Sequence, residues 1–280
     1  MPESASVSIL KLKIQHLLQR LGLYYRLQAS PLYDIYWSVA DASPLQKIRS
    51  ELNFYRGLLD GLHRGDLIFD IGANHGSKTG IFLRLGARVV AVEPDEINKS
   101  ILEEKFLRYR FRPKQLEIVQ KAVSDTNGME TMWIDTPGSA LNTFSRKWAE
   151  ALRADNTRFG HTLHFAQRQT VPTTTLEDLF LTYGRPFFIK IDVEGHELMV
   201  LRGMRQAVPY ISFEVNLPEF RQEGLECIAL LKRLASDGQF NYVIDCRQGL
   251  AQEKWFGAEE CSRMLCNCRQ KSIEVIWKTI

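Results

Sequence analysis

The chain has 280 residues, of which 45% are hydrophobic and 25% charged, and its formal net charge is +3. This composition is ordinary for a soluble globular protein, and the charge excess is too small to argue for nucleic acid or an acidic polymer as partner. No apolar run approaches the length that spans a bilayer, and a chain of this size can fold as one large doubly wound unit.

The first 64 residues read as a helical extension. Val7, Leu10, Ile14, Leu17, Leu18 and Leu21 recur at helical spacing. Lys11, Lys13, His16 and Arg20 interrupt them, which argues against a signal peptide. The helix is amphipathic and basic on its polar face. It is expected to dock on the protein's own core or on a second copy, a homo-oligomer contact, rather than on a membrane surface. Ser30-Pro31 and Ser43-Pro44 mark turns. From residue 65 to 280 strands alternate with helices, which implies a mainly parallel sheet. Strands are expected at 67–71, 88–92, 116–119 (continued through 121–125), 187–192, 210–215, 240–245 and 273–278, with an added hairpin strand at 130–134. Helices are expected at 77–85, 95–110, 146–153, 174–181, 197–205 and 226–235. The polar stretch 135–170 has little periodicity, and a segment of that kind is usually functional or mobile.

Two segments carry the chemistry. The first is Asp70-Ile71-Gly72-Ala73-Asn74-His75-Gly76, a glycine turn between an apolar strand and a helix. Such a turn binds nucleotide-like ligands. Asn74 and Ser77 replace the second and third glycines of a dinucleotide fingerprint. Gly72 to Thr79 misses a phosphate loop by Ser77 alone, so a nucleotide hydrolase or kinase stands as the alternative reading. A third ligand, S-adenosylmethionine, is cationic. Asp70 favours it, because an acid at the mouth of the turn repels pyrophosphate and suits an ammonium group. Glu93, closing the next apolar run, suits a ribose diol.

The second segment is Lys190-Ile191-Asp192-Val193-Glu194-Gly195-His196-Glu197. It gathers acids and an imidazole around one strand-to-helix turn. His196 or a desolvated Asp192 can move a proton near neutral pH, and carboxylates with imidazole also suit a divalent ion. The plain alternative makes Glu194, His196 and Glu197 first-turn residues of a helix. Asp70, Glu93, Asp192 and Glu214 all close apolar runs, so one crevice at the carboxyl ends of the strands is expected to collect them.

The five cysteines, at 227, 246, 261, 266 and 268, are odd in number with no secretion signal ahead of them. Reduced thiols and a cytoplasmic location follow as expectations. Their spacing does not make a zinc module, so no metal site is expected.

Asp70–Gly76, Glu93-Pro94, Ala122-Val123-Ser124-Asp125, Thr174-Thr175-Leu176-Glu177-Asp178-Leu179 and 188–201 together resemble the FkbM family of S-adenosylmethionine-dependent methyltransferases. The resemblance runs from about residue 65 to 215. It implies a class I Rossmann-like α/β fold, a mostly parallel seven-stranded sheet with helices on both faces. It also implies methylation of a hydroxyl on a sugar, glycan or secondary metabolite. On that reading Asp70, Gly72, Ala73, Asn74 and Gly76 surround the methionine end of the cofactor, and Glu93 holds the ribose. Ser124 and Asp125 approach the adenine edge, and Asp192 faces the methyl end. From chemistry alone, His196 is the first candidate base, oriented by Glu194 or Asp192, and the loop 139–145 covers the acceptor.

Overall fold

A computed structural model describes residues 17–18, 23–28, 30, 43–110, 115–155 and 158–279. The expected helix from Val7 to Leu21 and the turn at Pro31 lie almost wholly outside the described residues. Before the first strand the described residues include the helices α1 (Tyr24–Gln28) and α2 (Ser43–Leu58).

Strands and further helices then alternate. They are β1 (Leu67–Ile71), α3 (Ser77–Arg84), β2 (Arg88–Val92), α4 (Glu96–Lys105), α5 (Leu107–Arg110), β3 (Leu116–Val119), β4 (Ala122–Val123) and β5 (Gly128–Ile134). After them come α6 (Arg146–Ala154), β6 (Gln167–Thr174), α7 (Leu176–Tyr183), β7 (Phe188–Ile191), α8 (Glu197–Arg202) and β8 (Tyr210–Asn216). The last are α9 (Arg221–Leu234), β9 (Gln239–Val243), α10 (Ala258–Asn267) and β10 (Ser272–Lys278).

The main sheet has seven strands in the order β3-β2-β1-β7-β8-β10-β9. Its first five are parallel, and β10 runs antiparallel to both β8 and β9. This is the expected Rossmann-like class I methyltransferase fold. β1 is buried along its whole length, as a central parallel strand must be. Its alternate residues feed two cores: Leu67, Phe69 and Ile71 join one, Ile68 the other.

α2 is part of the second core. Tyr55 is fully buried, with its ring centroid 5.1 Å from Phe82 of α3 and 5.9 Å from Phe188 of β7. Each aromatic contact of this kind adds about 0.5–1.5 kcal/mol beyond area burial. Tyr55 and Leu58 of α2, with Leu59, thus pack into the second core of the α/β unit.

Three expectations need correction. Residues 121–125 do not prolong β3; Ala122 and Val123 leave the main sheet and pair with Thr173 and Thr174 of β6. A second, three-stranded sheet β4-β6-β5 results, and the hairpin strand at 130–134 belongs to it as part of β5. The long helix at 95–110 breaks at Phe106, which turns inward and is 2% exposed.

Candidate active site

In an open α/β sheet the ligand crevice lies at the carboxyl ends of the strands, where the strand order reverses. Here that point falls between β1 and β7. Gly72 follows β1 with φ +81°, and a Cβ there would lie 1.8 Å from the Asp192 carbonyl oxygen. The two turns are thus packed backbone to backbone. The Gly72 and Ala73 N–H groups donate to Val92 O at 3.0 and 3.1 Å, tying the turn to β2 as well. Asn74 takes a left-handed φ of 47°.

Glu93 at the end of β2 is 5% exposed. Its Oε2 accepts from Asn74 N at 2.7 Å, and its Oε1 accepts from Asp95 N at 3.0 Å and Asn98 Nδ2 at 3.4 Å. Burial outweighs these bonds and pushes the carboxyl up to about 7. Gly72, Asn74, Glu93, Asn98, Asp192 and Glu194 line one cleft, roofed by Ser139, Asn142 and Phe144. The roof is pinned. Asp95 Oδ2 accepts from Gly138 N at 3.1 Å and Asn142 Nδ2 at 3.4 Å, and Thr143 Oγ1 donates to Glu194 O at 2.6 Å. The cleft beneath holds about 60 Å³, well below the ~300 Å³ or more of a typical small-molecule pocket.

Asp70 is not among the residues lining this cleft. It is 2% exposed, and its Oδ2 accepts from Thr79 Oγ1 at 2.5 Å. Burial raises its carboxyl, opposed by the Thr79 bond and by Lys190. It braces the start of α3 from below. Lys78 points to Glu51 of α2 at 2.8 Å. The two residues that a phosphate loop would use are thus both committed to protein partners. Gly76 sits on the far side of the turn, where a Cβ would strike Phe106 and Leu102.

His196 is not among the residues lining the cleft but adjoins it. Its Nε2 lies 3.2 Å from Ser124 Oγ and 3.3 Å from Glu130 Oε2. Ser124 Oγ donates to Glu130 Oε1 at 2.5 Å and lies 3.5 Å from Asp125 Oδ1. The expected orienting partner, Glu194 or Asp192, is replaced by Glu130 of β5, because the positive φ of Glu194 (54°) turns its side chain the other way. Burial lowers the imidazole against the pull of Glu130 and Asp125. His196 faces a small cavity of about 20 Å³ that shares Gly72, Pro94, Phe144 and Val193 with the cleft.

The acids that do converge are Asp192, Glu194 and Glu214, whose carboxylate oxygens lie within 4.8 Å of one another. Glu194 Oε2 accepts from Trp148 Nε1 at 2.9 Å. Glu214 accepts from Ser272 Oγ at 2.5 Å. Burial and mutual repulsion push Glu194 well above the carboxylate range and Glu214 up to about 7. Lys190, 3% exposed, lies 3.1 Å from Asp192 Oδ2 and 3.6 Å from Glu274 Oε1; these acids hold its ammonium charged against desolvation. Glu197, by contrast, accepts from Val193 N at 3.1 Å and Gly195 N at 3.3 Å and braces the turn, as its first-turn reading requires.

The donor set fits a cationic, ribose-bearing cofactor. Acids line the cleft without an unpaired cation, and two buried acceptors in its wall, Asn74 Oδ1 and Asn98 Oδ1, have no protein partner. Asn98, Glu130 and Trp148 escaped the sequence reading, whereas Asn142 lies in the loop 139–145 expected to cover the acceptor. Asn98 alone carried a signal, as a polar residue in the first turn after an acid-ended strand.

The Methyltransferase FkbM domain matches residues 70–242. The hexuronic acid methyltransferase AglP of Haloferax volcanii is 26% identical over 180 residues, an alignment that covers 64% of this chain and 66% of that protein, just under two thirds of its length. Among solved structures, a TehB-like S-adenosylmethionine-dependent methyltransferase from Corynebacterium glutamicum aligns over 82% of this chain and 88% of its own (TM-score 0.41, 11% identity). A precorrin-6y C5,15-methyltransferase from Geobacter metallireducens aligns over 83% and 86% (TM-score 0.38, 8% identity). Among the described residues no helix is long and apolar enough to cross a membrane. With the family domain spanning more than half of the sequence, the chain belongs to the FkbM methyltransferase family.

Proposed function

We propose that this methyltransferase acts on a hydroxyl oxygen of a neutral sugar or glycan. The observation that carries the reading is the carboxylate set Asp192, Glu194 and Glu214 at the ends of β7 and β8. A hydroxyl acceptor must lose a proton, and a carboxylate within reach of its oxygen is suited to take it. Asp192 lines the cleft and its side chain is 42% exposed, so it is the group that reaches an acceptor. Glu194 and Glu214 stand close by, and Lys190 donates to the Asp192 carboxylate from below. His196, enclosed with Ser124 and Glu130, acts as a positioning residue for the adjoining strand ends.

S-adenosylmethionine supplies a methyl group already activated on a sulfonium. Gly72, Ala73 and Asn74 form the turn that approaches it, and Glu93 with Asn98 accepts from its ribose. Ser124 and Asp125 stand at the adenine side. What remains for the protein is alignment of the acceptor oxygen.

The relative's name places a hexuronic acid at its site. An acidic wall accepts hydrogen bonds from a neutral polyol but repels a second carboxylate, which favours the neutral sugar in this chain. Incubating neutral and uronic glycans with deuteromethyl-labelled donor tests the choice by mass spectrometry. Label in a base-stable ether on the neutral glycan is expected. Label released from a uronic acid by mild alkali, as an ester, refutes it.

A further inference from the structure

The central strand of the main sheet carries a lysine. β7 reads Phe188-Ile189-Lys190-Ile191, and all four residues are buried. A charge inside a parallel core strand breaks the apolar run that such a strand needs, and breaks of that kind collect at functional sites. The break continues sideways. Asp70 of β1 and Ser212 of β8 are the cross-strand partners of Lys190, and both are buried. Two residues further along β8, Glu214 pairs with Glu274 of β10.

Two carboxylates compete for the Lys190 ammonium. Asp192 Oδ2 accepts from it at 3.1 Å. Glu274 Oε1 stands 3.6 Å away, buried and with no hydrogen-bond partner among the described residues. A lysine suits this arrangement. Its ammonium is a compact charge on a flexible stem and can turn between two acceptors, whereas the planar fork of arginine is committed to one. Asp70 and Glu214 act on the same ammonium from β1 and β8, and Glu194 adjoins Asp192 in the turn after β7. α2 brings Tyr55 and the 246–248 turn brings Cys246; both lie in the field of Glu274, and burial holds both neutral. Lys78 of α3 acts on Asp70 but is ion-paired with Glu51 at 2.8 Å. Lys190 is thus the cation in direct contact with Asp192, and Glu274 draws on the same cation.

We propose that Lys190 and Glu274 are positioning residues that together set how strongly Asp192 holds a proton. The ammonium favours the Asp192 carboxylate, and Glu274 weakens that support by sharing the ammonium. Their weight in catalysis rests on Asp192 being the base assigned above. The coupling itself does not, because it belongs to the three side chains alone.

Carbon-13 NMR of protein labelled at the aspartate side-chain carboxyls reads the coupling without an acceptor. The Asp192 signal is the one missing from Asp192→Asn. Its titration midpoint is expected to fall by roughly 0.5–1 pH unit in Glu274→Gln, which removes a negative charge, and to rise by about 1 pH unit or more in Lys190→Met, which removes the cation. A midpoint that stays or rises in Glu274→Gln overturns the proposal. That change is isosteric, so the test stands even where Lys190→Met does not fold, and S-adenosylhomocysteine binding by calorimetry reports folding separately. A purely structural lysine would cost stability in the variants and leave the signal in place. On any glycan that takes label in the deuteromethyl assay, the acid limb of kcat should move with the signal. A fixed limb beside a moving signal removes the base role from Asp192 and leaves the coupling standing.

Discussion

Replacing Gly72 with alanine tests the packing on which the whole cleft depends. The residue has φ +81°, and the added Cβ would lie 1.8 Å from the Asp192 carbonyl oxygen. A left-handed alanine costs roughly 1–2 kcal/mol. A carbon and a carbonyl oxygen settle no closer than about 3.3 Å, so the β1 and β7 turns must part by roughly 1.5 Å. Overpacking of this kind adds about 1–3 kcal/mol, for a total near 2–5 kcal/mol. Gly65 supplies the control. It has φ +92° with nothing within 4 Å of the position a Cβ would take, so Gly65→Ala carries the strain without the collision. Urea unfolding should show the larger loss for Gly72→Ala. Calorimetry should show S-adenosylhomocysteine bound at least about tenfold more weakly, because site geometry tolerates displacements well under 1 Å. Wild-type affinity in Gly72→Ala, with Gly65→Ala behaving the same way, would refute the account.

Glu93 gives a pH signature. Its carboxyl binds a proton more tightly folded than unfolded, so it supports the folded state below pH 4.5 and withdraws that support as pH climbs to about 7. Glu93→Gln lacks this titration. The wild-type stability relative to the variant should therefore fall by about 3 kcal/mol across that window, and a flat difference in parallel unfolding curves would exclude it. Asp192→Asn is expected to lower kcat about a hundredfold or more while S-adenosylhomocysteine affinity changes little. His196→Ala should instead lose stability and cofactor affinity together. An inverted pattern in steady-state kinetics returns the base role to the imidazole.

The main sheet was legible because its strands are long apolar runs ended by acids, and because caps such as Thr175 announce their helices: its side chain accepts from Asp178 N. β6 was hidden. Its first four residues are exposed, so it has no alternation to read, and only pairing with β5 makes it a strand. α10 was hidden for another reason. Its buried stripe is Ala258, Cys261 and Leu265, two of them small. α9 begins five residues before its expected start because Gly224 sits inside it. That glycine lets the helix approach Val215 and Leu265, which a Cβ would meet at 2.9 Å. At the site, the turn residues and Glu93 could be read from spacing. The direction of each side chain could not. Asp70 and His196 do not line the cleft itself, and their partners, Thr79 and Glu130, reach them through tertiary contacts.

The buried acids make a final demand on the cofactor. Glu93 and Glu214 are both pushed up to about 7, and Glu194 well above the ordinary carboxylate range, chiefly by desolvation. At neutral pH the group is therefore only partly ionised. A cation placed beside these carboxyls favours their charged forms and lowers their pKa values, so protons must leave as it binds. S-adenosylmethionine carries a sulfonium that S-adenosylhomocysteine lacks, and both carry the ammonium. Calorimetry at pH 7 in buffers of different ionisation enthalpy counts the protons released. Release is expected for both ligands, with more for S-adenosylmethionine, and the difference should shrink in Glu214→Gln. Equal counts for the two ligands would mean that the acids at the ends of β7 and β8 do not face the sulfonium, and Asp192 would lose its place at the methyl end.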